Sequence, residues 1–522
     1  MTDRAASKSL LKAASLIVVV TLLSKVAGLV RAQAITAEYG LTSAVDAYYL
    51  AYNLPSFFLI ILGGVNGPFH SAVVSVLSKD SEDKKRVIET LNTLVALAFG
   101  AATVGIMVAA PWIVGLVAQG APPEVQAIAV QDMRIMAPLA FIAGQVGLGF
   151  GVLTTANSFV LPSLSPILSS GAVILAILFF SKDYGAQVLA WGTLAGALLQ
   201  WFAQIPLQWK LGLGSLRLRF DWHLPQVRQV TNLMAPATLS SVLSNLNTYT
   251  DQYFASLLGS GVIAGLPTAN LLVQTPQGIL SNAFLIPLLP VYSRLSGEED
   301  RPEMLSKIRQ GLVTLAIGVL PLMAFCIALS EPIVQIIYQR GAFDPKATQL
   351  VSGLFIGGTV GMFSFLGRDL MIRLFYVLGD AKTPLIMSFL GIASNFALDF
   401  LFVRWIGAPG IPLATAGVTT ITFFGLAWLF RKKVGPLGWR SGLIRPLGIL
   451  SLGAGITGIL TWGVYAGLQN FWSGANFFGV LTKLLIALSM GLASQALWLW
   501  RLDFPEIILF RNQILRRFKK ST

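Results

Sequence analysis

The chain has 522 residues, of which 55% are hydrophobic and only 11% charged, with a mean hydropathy of +0.72 and a formal net charge of +14. A soluble domain carries about a quarter charged residues, so this composition excludes a soluble enzyme and points to an all-α polytopic membrane protein. The lone Cys326 excludes an intramolecular disulfide or a Cys metal cluster, and two histidines, His70 and His223, are too few for a His-based site.

The N-terminus, MTDRAASKSLLKAASLIVVVTLLSK, has the basic start and apolar run of a signal peptide. No small-residue cleavage site closes the run, so a retained first span is expected. Taking about 20 apolar residues per span, fourteen spans are expected, at roughly 13–36, 45–76, 88–118, 127–153, 158–181, 186–208, 229–258, 262–292, 308–338, 349–378, 383–403, 410–430, 444–467 and 477–500. Several exceed the bilayer thickness, which predicts tilt or breaks at proline. The positive charge is unevenly distributed: with the N-terminus inside, inside segments hold 27 of the 37 Lys and Arg and outside loops hold 4. Both termini are therefore expected in the cytoplasm, and topology with attraction to anionic lipid accounts for the charge without nucleic acid. Two inside stretches, Trp209 to Arg228 and Asp503 to Lys520, mix cations with Leu, Ile, Phe and Trp, and are expected to form amphipathic helices on the leaflet.

The first two spans contain SKVAGLVRAQAITAEYGLTSAVDAYYLAYNLP, where Lys25, Arg31 and Asp46 sit in membrane-like sequence. A charge at bilayer depth costs at least about 2.5 kcal/mol, so such residues normally face a polar cavity. Lys25 and Arg31 in a wide lumen would attract a phosphate or carboxylate; an internal salt bridge to Asp46 is the competing reading. The run NLPSFFLIILGGVNGPF at 53–69 has an echo in QTPQGILSNAFLIPLLP at 274–290, the second and eighth spans. Six spans separate them, so two like-facing six-helix halves in a parallel repeat are expected, enclosing a cavity, with spans 13 and 14 as an added pair. The expected division is 1–208 for the first bundle, 209–228 for an amphipathic cytoplasmic linker, 229–433 for the second bundle, 434–502 for the helix pair and 503–522 for a basic tail.

Later spans add a second constellation. Asn395 and Asp399 are four apart and share a helix face, Asp251 lies mid-span in NTYTDQYFAS, and Thr415 follows Pro412 in IPLATAGV. Carboxylate, amide, hydroxyl and a carbonyl freed near Pro412 are hard oxygen ligands, suited to Na⁺; separate neutral, hydrogen-bonded groups are the alternative. Asp132 with Arg134, and Arg368 with Asp369 and Arg373, are expected to pair among themselves, Lys483 to snorkel to the surface, and His70 to be a polar cavity residue. No GxSxG elbow, Walker A loop or HExxH occurs, so no enzyme is expected.

The stretch from Ser24 to Pro55, with TPQGILSNAFLIPLLPVYSRL and SNFALDF, resembles the MurJ/MviN family of lipid II flippases in the MOP exporter superfamily, over nearly the whole chain. The resemblance implies a bacterial inner-membrane transporter that moves undecaprenyl-pyrophosphate-linked peptidoglycan precursor from the inner to the outer leaflet by alternating access; a monomer is expected. It implies that Arg31 and Asp46 are cavity residues, that Lys25 stands where the family has Arg, and that Asp251, Asn395, Asp399, the Ile411 carbonyl and Thr415 form a sodium site. Spans 13 and 14 would form a groove for the lipid tail. The chain departs from the family at LPSFFLIILGGVNGPF, where Leu59 and Gly64 replace an arginine and a glutamate, and at ANLLVQTP, where Asn270 and Leu271 replace Asp and Arg. These departures leave open a flippase for another polyprenyl-linked glycan, a cation-coupled multidrug exporter, or a non-transporting envelope scaffold.

Overall fold

The computed structural model describes residue 20 and residues 23–508, apart from 62–67, 79–83, 157, 214–216, 296, 436–441 and 473–475; part of the basic tail lies outside them. Among the described residues all regular structure is helical. Eight helical segments are long and apolar enough to cross a membrane, or nine when the bent pair Pro345–Val360 and Met362–Val377 is one span. One of the eight, Val160–Lys210, holds two helices that pack along each other across a short turn. Expected spans 3 to 6 and 9 to 14 fall in these segments. Spans 2, 7 and 8 do not pass, because they carry the polar residues and the breaks, and part of expected span 1 lies outside the described residues.

The chain divides into two compact units, residues 1–264 with 340–343, and residues 265–339 with 344–522. The first unit contains α1 (23–39), α2 (Ser43–Ile61), α3 (Pro68–Leu77), α4 (Lys84–Val117), α5 (Pro123–Met136), α6 (Leu139–Thr155), α7 (Val160–Tyr184), α8 (Val188–Lys210) and α9 (Pro225–Ser256). Its centre is α6, whose small residues let α2, α3, α4 and α8 approach closely: a Cβ on Gly144 would meet Val95, and one on Gly151 would meet Val73. Phe57, Phe69, Val73, Leu91, Leu148 and Val230 form an apolar cluster joining α2, α3, α4, α6 and α9, and Leu59 packs against it. Helix α9, expected in the second bundle, thus packs in the first unit.

α10 (Val262–Leu280) begins at the edge of the first unit and runs into the second. A π-helical stretch, Ser281–Leu285, interrupts the expected eighth span before α11 (Ile286–Arg294), close to Pro276, Pro287 and Pro290, which remove backbone donors. The second unit continues with α12 (Arg301–Ala328), α13 (Ser330–Tyr338), α14 (Pro345–Val360), α15 (Met362–Val377), α16 (Lys382–Ile406), α17 (Gly410–Lys433), α18 (Ile444–Phe471) and α19 (Phe477–Trp500). Asp344 and Asn476 cap α14 and α19, accepting from the amides of Ala347 at 2.7 Å and Gly479 at 2.9 Å. The 41° bend between α14 and α15 falls at Gly361, where a Cβ would press on Ala416 of α17. Trp112, Leu178, Phe179, Trp405 and Ile459 are each 70% exposed, an outward apolar surface that suits lipid rather than water.

The first stretch expected to lie on the leaflet as an amphipathic helix does not form a helix of its own among the described residues: α8 ends at Lys210, α9 starts at Pro225, and described residues 217–221 between them have no regular structure. Its charges are used instead to fasten it to α4. Arg86 Nε lies 2.8 Å from Asp221, Arg219 Nε lies 3.4 Å from the buried Glu89, and the Arg219 amide donates to Thr93 at 2.9 Å. Arg86 and Arg219 hold the Asp221 carboxyl below its usual range.

Candidate functional site

In the first unit, Arg31 of α1 is half-buried beside Tyr48, Tyr49 and Tyr52 of α2, and hydrogen-bonds the Tyr52 hydroxyl. The Tyr48 and Tyr52 rings stack with centroids 5.6 Å apart, and the Tyr48 hydroxyl is anchored to Thr193 of α8 at 2.9 Å. Among the described residues no ion pair joins Arg31 to a carboxylate, so phenol dipoles soften its charge without cancelling it. Lys25, nearly two turns earlier, is exposed, and Gly28 one turn from it borders open space. Ser24 anchors this end of α1 by donating to the Ser163 carbonyl of α7 at 3.0 Å.

Asp46 is not the partner of these cations. It is 2% exposed, and its two carboxylate oxygens accept from the amides of Gly261 at 2.5 Å and Ala264 at 2.7 Å. These N–H groups open α10, where a helix leaves amides unfilled and its dipole favours negative charge. Gly261 reaches this position with φ +87°, and a Cβ there would lie 2.8 Å from the Leu41 carbonyl oxygen. Next to it, Gly341 packs against Ala37, and the Ala342 amide donates to the Ala37 carbonyl at 2.7 Å. Asp46 therefore clamps the first turn of α2 to the start of α10.

The proposed ion ligands divide. Asn395 and Asp399 of α16 are fully buried, and the Asn395 amide donates to Asp399 at 2.6 Å. Helix α17 packs along α16 and contributes the buried Ile411, whereas the Thr415 side chain is exposed. Asp251, half-buried, lies on α9 of the first unit. With the amide nitrogen committed to the carboxylate, the remaining donors of the α16 pair are oxygens, a set that fits a hard cation such as Na⁺.

Pairing on α15 is as expected: Arg373 Nη2 lies 3.1 Å from Asp369, which also accepts from Ser281 at 3.3 Å. Pairing on α5 is not. Asp132 is buried with one oxygen lacking a partner, and Arg134 is exposed and donates to the Met107 carbonyl at 3.3 Å, because residues two apart point to different faces of a helix. Lys483 does not snorkel: it is 4% exposed and donates to the Trp472 carbonyl at 2.9 Å. His70 is buried against the Thr154 hydroxyl at 2.9 Å.

Two grooves flank α18. One, of about 610 Å³, lies between α12 and α18 and is lined by Leu320, Met323, Ile327, Ala454, Ile459 and Trp462 among others. The other, of about 410 Å³, lies between α18 and α19, with Ile456, Met490 and Leu497 inside and Arg501 at its edge. Both suit apolar chains. The tyrosines around Arg31 were visible in DAYYLAY, at spacings that put them on neighbouring turns. The Asp46 clamp spans 215 residues of chain, and no local signal announces it.

The family description "Lipid II flippase MurJ" matches residues 35–494. A Synechocystis sp. protein named "Probable lipid II flippase MurJ" is 40% identical, over 98% of this chain and 98% of its own. A Burkholderia cenocepacia protein named "Lipid II flippase MurJ" is 28% identical over 76% of this chain and 78% of its own. Among solved structures, "Lipid II flippase MurJ, inward closed conformation" superposes with a TM-score of 0.76 at 25% identity, covering 96% of this chain and 99% of that one. An inward-facing MATE-family multidrug transporter of the MOP superfamily matches with a TM-score of 0.59 at 13% identity, over 82% of this chain and 99% of that one, a likeness of fold alone.

Proposed function

We propose, from the premise that this chain belongs to the MurJ lipid II flippase family, that it carries lipid II from the inner to the outer leaflet of the bacterial cytoplasmic membrane. The observation that carries the reading is Arg31, a guanidinium in the first expected span beside three phenols and, among the described residues, ion-paired with no carboxylate. A planar cation with five donors suits a diphosphate, and the tyrosine hydroxyls extend the donor set toward phosphate oxygens or sugar. Lys25 extends the cationic stretch of α1. The grooves beside α18 would shelter the polyprenyl tail, so the head moves through polar surroundings while the tail stays apolar. Both termini face the cytoplasm in this reading, as the Lys and Arg distribution favours. The protein acts as a single chain among membrane lipids, without nucleic acid and without a catalytic step.

Asp46 plays a positioning role. Its grip on the α10 amides holds one facing state, and the exchange of facing states requires that grip to be released. Na⁺ held by Asn395, Asp399 and the Ile411 carbonyl would supply charge compensation for Asp399 and bias the exchange.

The test is reconstitution in liposomes with a labelled polyprenyl-diphosphate disaccharide, following leaflet exchange with and without sodium. Exchange above that of empty liposomes, lost in Arg31→Ala, is expected; exchange equal to empty liposomes would remove the transport reading. A second reading, a flippase for another polyprenyl-linked glycan, is favoured by Leu59, which lies against the apolar cluster where the family places an arginine. Competition between two head groups in the same liposomes separates the two.

A further inference from the structure

Resting on the flippase reading, we propose that Arg368 and Arg373 of α15 form a second anion-binding site, which holds a phosphate of the transported head group within the second unit. The charge balance is the first observation. Arg373 pairs with Asp369, whereas Arg368, its neighbour in sequence, makes no ion pair among the described residues, and the excess positive charge sits on a helix within the expected tenth span. The second is the state of the donors. The Nε atoms of Arg368 and Arg373 are both buried and have no hydrogen-bond partner among the described residues. Arg368 also lies over the Phe365 ring, 5.3 Å from its centre, a contact that orients a guanidinium without neutralising it.

The third observation is access. The Arg373 and Asp369 side chains are each 30% exposed, so the cluster opens on one side. Facing it is the π-helical stretch Ser281–Leu285, whose Ser281 hydroxyl donates to Asp369, with Asn282 exposed beside it. π-Helical turns inside helices are uncommon and recur at functional sites. A purely structural ion pair would need one arginine, and a second one at this depth is costly unless an anion visits it.

A diphosphate offers both arginines acceptors. Arg373 exchanges Asp369 for a phosphate oxygen, Arg368 fills its vacant donor, and Ser281 keeps Asp369 satisfied. The site also makes up for the arginines that Leu59 and Leu271 fail to supply, on a helix where adjacent opposite charges suggest only internal pairing.

Binding of the labelled polyprenyl-diphosphate disaccharide to protein in nanodiscs tests this, with the uncharged polyprenol-linked analogue as the second probe. The double variant R368Q/R373Q is expected to weaken diphosphate binding at least tenfold, about 1.4 kcal/mol, while leaving binding of the uncharged analogue within twofold. R373K should recover part of the loss. D369N, which removes the internal competitor, should tighten diphosphate binding. Unchanged diphosphate affinity in the double variant, or equal loss for both probes, would overturn the site while leaving the transport reading intact. A D369N protein that unfolds without any gain in affinity would show that the arginines exist only to pair. Wild-type protein that binds neither probe would overturn the flippase reading itself, and this site with it.

Discussion

Asp46 and Asp369 are both carboxylates in membrane-like helices, and they are stabilised in opposite ways. Asp46 is buried and held by two backbone amides at the start of α10, with no cation among its described partners. Asp369 is half-exposed and held by Arg373 and Ser281. The amide grip needs one backbone geometry and rewards a rigid closed arrangement; the guanidinium pair tolerates exchange of one anion for another. In the roles we propose, one carboxylate serves the state of the transporter and the other its cargo.

The largest effect should come from breaking the amide grip. Asp46→Ala leaves two buried N–H groups unfilled, at about 1–3 kcal/mol each, and should lower the melting temperature of the purified protein more than any other change discussed; Asp46→Asn, which keeps one acceptor, should fall between. A melting temperature unmoved by Asp46→Ala would erase the contrast. Next, Gly261→Ala should cost roughly 1–3 kcal/mol, because the residue has φ +87° and a Cβ would meet the Leu41 carbonyl. Thermal unfolding measures this loss, and a neutral result would mean that the α10 start is adaptable. Asp369→Ala should cost less, about 1 kcal/mol or under, since the pair is partly exposed and solvent screens it.

The smallest effect sets a surface reference. Asp380, between α15 and α16, accepts from Lys433 at 2.7 Å and from the Thr383 amide at 3.0 Å, which hold its carboxyl below the usual range. A depressed folded-state pKa contributes stability that is present above the unfolded value near 4 and is lost as pH falls through the folded value. Lys433→Met should therefore lower stability at neutral pH by no more than about 1 kcal/mol and flatten the acid limb of a stability profile, because the contribution it removes is the one that acid would have removed. A larger change would place this pair with Asp46 rather than at the surface.

Leu59 shows how far local sequence reaches. Its departure from the family pattern was plain in LPSFFLIILGG, and its burial against Phe57 and neighbouring apolar residues follows from its chemistry. The pairing of Asp369 with Arg373 was equally legible, because a four-residue spacing places both on one helix face. The charged linker misled: alternating cations and aromatics suggested a helix on the leaflet, but the cations found Glu89 and Asp221 instead. Periodicity reports what a segment could do alone and says nothing of carboxylates on another helix. The α5 charges failed for a simpler reason, since residues two apart diverge around a helix.

Composition and hydropathy by themselves determined that this is an all-helical membrane protein, and its charges and prolines marked the first two spans and the echo between the second and the eighth. Those properties are local, because the cost of a charge or a missing donor in hydrocarbon is levied residue by residue. Only the tertiary structure decided what each charge does: that Asp46 grips amides 215 residues away, that Arg31 lies among tyrosines, and that Arg368 lies over the Phe365 ring while Arg373 takes Asp369. Partners distant in sequence are chosen by packing, and packing depends on the whole set of helices at once.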